Sequence, residues 1–113
     1  MERQIRRILT DLGIYSKTKG FFFLIEAIDI YAKSDEKLLK ITEDIYPVIA
    51  VKYKTTQANV ERSIRYTIDT LYSETPTEYY LSVFGDPKKR RKPTNMEFIA
   101  TTAYELDCLM YTK

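Results

Sequence analysis

Arg62 and Arg65 lie about one helical turn apart in the stretch Thr55 to Asp69, whose polar side chains are of the kinds that read DNA. A guanidinium presents a rigid fork of donors, so either arginine can be bidentate to guanine or pair with a phosphate. Asn59 can pair with adenine, and Glu61 can accept from cytosine N4. Thr56 and Tyr66 can donate to phosphate, and Gln57 belongs to the same set at the start of the segment. Lys52 and Lys54 stand where a preceding turn would approach the sugar-phosphate backbone.

Each of these residues also has a plainer reading. Glu61 and Arg65 are spaced i, i+4 and can form a surface ion pair worth a few tenths of a kcal/mol. Lys52 and Lys54 can complement the negative end of a helix dipole. Tyr66 is one of ten tyrosines, most of which serve packing with the hydroxyl at the surface.

The element that must carry the set is an amphipathic helix over about 57–72. At about 100° per residue, Val60, Ile64, Ile68 and Leu71 fall in one narrow sector, while Asn59, Arg62, Arg65, Tyr66 and Asp69 point broadly the other way. Thr56 is placed to cap it. A second helix, within Thr42 to Tyr53, precedes it across a short turn, with Ile45, Val48 and Ile49 facing inward. Pro47 must sit in the first turn of that helix or bend it, and the sequence leaves both open. Helix, short turn and helix over about 42–73 make a helix-turn-helix pattern.

The remaining elements are also helical. Arg3 to Leu12 carries Ile5, Ile8, Leu9 and Leu12 at helical spacing, and Gly13 suits the left-handed position that ends a helix. Phe21 to Ala32 follows, with Leu24, Ala27, Ile28 and Tyr31 on one stripe. Ser34-Asp35-Glu36 reads as a further helix start leading into a turn with Leu38 and Leu39. Thr75-Pro76-Thr77-Glu78 reads as a capping box opening a short helix that ends at Gly85. Thr94-Asn95-Met96-Glu97 reads as another, opening a last helix with Phe98, Ile99, Ala103, Leu106 and Leu109 or Met110 inward. No segment alternates with period two, so the expected fold is all-α: a compact six-helix domain over residues 1–113 containing a helix-turn-helix.

Composition narrows the function. With 113 residues and 44% hydrophobic content, the chain can bury one core. No apolar run approaches the roughly 20 residues that span a bilayer, and the N-terminus lacks a signal-peptide core, so a cytoplasmic protein with no membrane partner is expected. Cys108 is the only cysteine and histidine is absent, which excludes a disulfide or Cys/His zinc site within one chain and the usual general base. No enzyme, metal or cofactor is therefore expected, and Cys108 reads as a small packing residue. The net charge of +2 is unremarkable, but Lys88, Lys89, Arg90, Arg91 and Lys92 concentrate five positive charges in one run. That run is either a solvated loop or a phosphate-binding one.

The run Ile45 to Thr56, continuing through Val60-Glu61-Arg62-Ser63-Ile64-Arg65, closely resembles the C-terminal effector domain of the sporulation initiation response regulator of endospore-forming bacteria. Leu12-Gly13, Lys19-Gly20, Phe84-Gly85 and the motif Lys92-Pro93-Thr94-Asn95-Met96-Glu97-Phe98-Ile99-Ala100 fit in the same register. The resemblance implies a six-helix domain that binds double-stranded DNA at a TGTCGAA-like box and regulates transcription. It implies paired copies, a homodimer, on tandem boxes, contact with an RNA polymerase sigma subunit, and a recognition helix whose major-groove positions here are Glu61, Arg62 and Arg65.

Two positions depart from the family, which typically has arginine where Asn59 stands and histidine where Tyr66 stands. Losing one bidentate contact costs roughly 1–3 kcal/mol of discrimination, which would relax the choice of box. The run Lys88 to Lys92 is more basic than the family usually shows, and its phosphate contacts are expected to offset that loss. The phosphorylated receiver domain typical of relatives is not expected in the chain; an excised effector domain and a stand-alone paralogue both fit. The competing reading is a protein-interaction module with relaxed DNA specificity, acting on a relative or on polymerase through Tyr79, Tyr80 and the last helix.

Overall fold

The computed structural model describes residues 1–15, 18–34 and 39–111, and the described residues form six α-helices and no strand. These are α1 (Glu2–Leu12), α2 (Lys19–Lys33), α3 (Tyr46–Lys52), α4 (Gln57–Ser73), α5 (Glu78–Phe84) and α6 (Asn95–Tyr111). The radius of gyration, 13.4 Å, is that of a close-packed chain of this length. The helix start expected at Ser34-Asp35-Glu36 and the turn residue Leu38 fall largely outside the described residues.

Local chemistry sets most boundaries. Gly13, at φ 112°, closes α1: its N–H donates to the Thr10 carbonyl and that of Ile14 to the Leu9 carbonyl. The Thr94 box forms in full. The Thr94 hydroxyl accepts from the Glu97 N–H at 3.1 Å, and the Glu97 carboxylate accepts from the Thr94 N–H at 2.9 Å. The other expected box does not form. Thr77, not Thr75, caps α5 by accepting from the Tyr80 N–H, and Pro76 lies ahead of the cap. The Thr77 hydroxyl also donates to the Asp11 carbonyl at 2.9 Å, so a link to the end of α1 fixes where α5 begins.

Helix α2 runs through the middle and packs against α1, α4 and α6. Its Phe21, Leu24 and Ile28 meet Ile5 and Leu9 of α1, Ile64 and Ile68 of α4, and Phe98 of α6 in one core. Tyr80, Phe84 and Phe98 stack at centroid separations of 5.0 and 5.1 Å, which seats α5 on α6. Where α2 crosses α4, Gly20 lies so close that a Cβ there would stand 2.6 Å from the Ser63 carbonyl.

Three inward assignments are corrected. Val48 is exposed, because α3 has only seven residues and buries the side carrying Tyr46, Ile49 and Ala50. Leu109 and Met110 are exposed because the buried residues of α6 end at Leu106. Cys108 lies on the same exposed last turn rather than in the core. Deeper in α6, Thr102 is fully buried and its hydroxyl has no hydrogen-bond partner among the described residues. Valine has the same shape without the stranded hydroxyl, so Thr102→Val is expected to raise unfolding stability by about 1–2 kcal/mol in a denaturant titration.

Candidate nucleic-acid interface

Pro47 occupies the first turn of α3, where its missing N–H costs nothing. A wide π-helical turn, Ile41–Ile45, delivers the chain to it. Four residues, Tyr53 to Thr56, then join α3 to α4. Lys54 adopts φ 53°, a left-handed conformation that non-glycine residues occupy at a cost of about 1–2 kcal/mol. Thr56 caps α4 by accepting from the Asn59 N–H at 3.0 Å.

The aliphatic side of α4, Val60, Ile64, Ile68 and Leu71, is buried together with Thr67. Arg62, Arg65 and Tyr66 are exposed on the other side, Tyr66 at 68%. Lys52, Lys54, Thr56 and Gln57 are exposed at the start of the same surface. Asn59 is half-buried and its side-chain N–H donates to the Thr55 hydroxyl at 2.9 Å, so it turns back toward the turn instead of outward.

Carboxylates hold several of these cations. Arg65 Nε lies 3.3 Å from Glu61 Oε2, the i, i+4 pair the spacing allows. Lys52 Nζ lies 2.6 Å from Glu26 Oε2, which anchors the end of α3 to α2 and holds the ammonium above its usual pKa. Lys92 pairs with Asp69 of α4. Arg91 is bidentate to Glu97, at 2.8 and 2.7 Å. Lys88, Lys89 and Arg90 are exposed and form no ion pair among the described residues. Hydrogen bonds hold the loop that carries them. Asp86 caps its turn, and the Tyr72 hydroxyl lies 2.7 Å from the carbonyls of both Pro87 and Arg90, donating to one at a time.

The basic run and the exposed side of α4 thus adjoin one another. The cation–carboxylate contacts of Lys52 and Lys92 join elements 26 and 23 residues apart, and no local pattern in the sequence could have shown them. Asn95 is likewise invisible to spacing. Its side-chain N–H groups donate to the Tyr46 hydroxyl of α3 at 2.8 Å and to the Glu61 carbonyl of α4 at 3.2 Å.

The family described as sporulation initiation factor Spo0A C terminal matches residues 5–106 of the chain. The chain belongs to that family. It is a family of helical DNA-binding effector domains of a sporulation regulator rather than of catalytic ones, and the match takes in every residue of the surface just described. No described helix is long and apolar enough to cross a membrane.

Two expectations follow for this surface. The Arg91 hydrogen bonds, with the Thr94 N–H, hold the Glu97 carboxyl down to about 2. A depressed folded-state pKa contributes stability that is present above the unfolded value near 4.5 and lost as the pH falls toward 2. Glu97→Gln keeps the cap but carries no titrating charge, so between pH 4.5 and 2 it should lose less stability than the native chain, read by acid titration of helicity. Lys54→Gly removes the left-handed strain and a cation together. Thermal unfolding should show a gain of up to about 1 kcal/mol, partly offset by glycine's unfolded-state entropy, while DNA affinity falls.

Proposed function

We propose that the chain is a sequence-specific transcription regulator whose α4 enters the major groove of a TGTCGAA-like box. Arg62, Arg65 and Glu61 face base edges in this reading. Lys52, Lys54, Thr56, Gln57, Tyr66 and the run Lys88, Lys89, Arg90, Arg91 and Lys92 face the sugar-phosphate backbone, while Asn59, the adenine-pairing candidate, is held back by Thr55. The observation that carries it is the two-sided character of α4: an aliphatic side locked into the core and an opposite side from which Arg62 and Tyr66 project unburied. A helix held in this way presents its side chains at fixed angles, which base reading requires.

Paired copies on tandem boxes, contact with an RNA polymerase sigma subunit and action in the cytoplasm accompany this reading. The Asn59 contact with Thr55 and the basic loop bear on box choice. With Asn59 turned inward, direct reading at that position is weaker, and Lys88, Lys89 and Arg90 supply charge that acts on any sequence. The interaction-module reading is less well supported, because Tyr80 is buried and the Tyr79 hydroxyl is committed to Glu105 at 3.1 Å.

Selection from random duplexes tests the proposal. Enrichment of one box is the expected result. Recovery of no motif, with affinity that collapses uniformly as salt rises, would instead favour a module with relaxed DNA specificity.

A further inference from the structure

We infer that Asn95 is a positioning residue that sets the angle at which the helix pair α3–α4 presents its polar side, an inference that rests on the regulator reading above. Asn95 is the first residue of α6, and the reciprocal Thr94–Glu97 box fixes its backbone. From there one half-buried amide reaches both helices of the pair, through the Tyr46 hydroxyl at 2.8 Å and the Glu61 carbonyl at 3.2 Å. Tyr46 is only 4% exposed, and the Asn95 amide donates the hydrogen bond that its hydroxyl oxygen accepts.

The need for such a brace follows from the kinds of contact that hold α4. Val60, Ile64, Ile68 and Leu71 anchor it by apolar burial, which is strong but non-directional, and the directional contacts of Asp69 and Tyr72 lie about two to three turns beyond Glu61, toward the other end of the helix. A cylinder seated in that way resists being pulled out more than it resists rolling about its axis. With a side-chain radius of about 5–6 Å, a roll of about 20° moves an exposed tip by about 2 Å. Hydrogen bonds to bases tolerate a donor–acceptor range of only about half an ångström, so such a roll breaks base contacts. It leaves phosphate contacts, made by long flexible lysines, nearly intact. The Asn95–Glu61 bond grips α4 between its cap and Arg62, at the end where base reading would occur. A directional bond there opposes the roll, and the Tyr46 bond makes α3 follow.

The test has one arm without DNA and one with it. In the first, residual dipolar couplings of the free protein report the orientation of α3 and α4 against α1, α2 and α6. Asn95→Ala is expected to shift the couplings of α3 and α4 while those of the other three helices remain. Tyr46→Phe, which removes one bond and keeps the ring, should shift α3 more than α4. In the second arm, well below the unfolding temperature of each variant, affinity is measured for the duplex enriched by the native chain and for a scrambled duplex. Asn95→Ala should lower the ratio of the two by about five- to 150-fold, the loss of one good base contact. Affinity for the scrambled duplex should stay within twofold, and the salt slope should be unchanged.

Couplings that superpose on those of the native protein overturn the inference. So does an unchanged ratio in a native chain that reads sequence, or an equal fall in both affinities, which marks general loss of structure. A native chain with no preference between duplexes sinks the regulator reading instead, and the first arm still decides the role of Asn95.

Discussion

Gly20→Ala is expected to destabilise the protein by about 2–3 kcal/mol, although alanine is ordinarily the better helix former by up to about 1 kcal/mol. The sign is set by what the new methyl would meet. A Cβ at Gly20 would lie 1.9 Å from the Thr67 hydroxyl, 2.6 Å from the Ser63 carbonyl and 2.9 Å from Thr67 Cβ. A hydroxyl can rotate away, but a backbone carbonyl inside α4 cannot, so the two helices must separate. Separation thins the core between Phe21, Leu24, Ile64 and Ile68, and it moves α4, the helix with the exposed arginines. The melting temperature should fall on the order of 10 °C. Thr67→Ala in the same chain should restore only part of the loss, since the Ser63 carbonyl stays in place. Full recovery in that double variant would show that the hydroxyl alone, and not the approach of the helices, is the obstacle.

This close crossing also shows what a linear reading could and could not reach. Lys19-Gly20 was visible as a family motif, but the sequence gives no sign that glycine is required by a partner helix more than 40 residues away. The periodicity of α4 was legible because a long helix with one buried side repeats its pattern over several turns. The seven residues of α3 complete barely two turns, so the burial of Tyr46 and the exposure of Val48 depended on which side met the core. At α5 two threonines competed for the cap. Thr75 had an acid three residues on, and Thr77 had the tertiary bond to Asp11 that settled the matter. The polar surface was legible by residue type. Its wiring was not, because Glu26 to Lys52, Asp69 to Lys92 and Asn95 to Tyr46 are made by the fold.

That wiring makes the arginines of α4 unequal, and the inequality yields the second large effect. Arg62→Ala is expected to weaken binding to the enriched duplex by about 1–3 kcal/mol and to relax the choice at one or two base pairs. Arg62 is exposed and makes no ion pair among the described residues, so in the proposed reading its fork has no carboxylate to displace before it meets a base. Arg65 must first leave Glu61, an exchange that returns part of what a new contact supplies. Arg65→Ala should accordingly cost less than Arg62→Ala. Arg62→Lys keeps the charge and loses the fork, so it should leave affinity for scrambled DNA near that of the native chain without restoring base choice. Lys89→Ala provides the contrast: a uniform loss across all sequences and a salt slope shallower by about one. If Arg62→Ala behaves like Lys89→Ala, with the enriched and scrambled duplexes losing equally, then α4 touches phosphates and not bases. The placement of α4 in the major groove would then have to be abandoned.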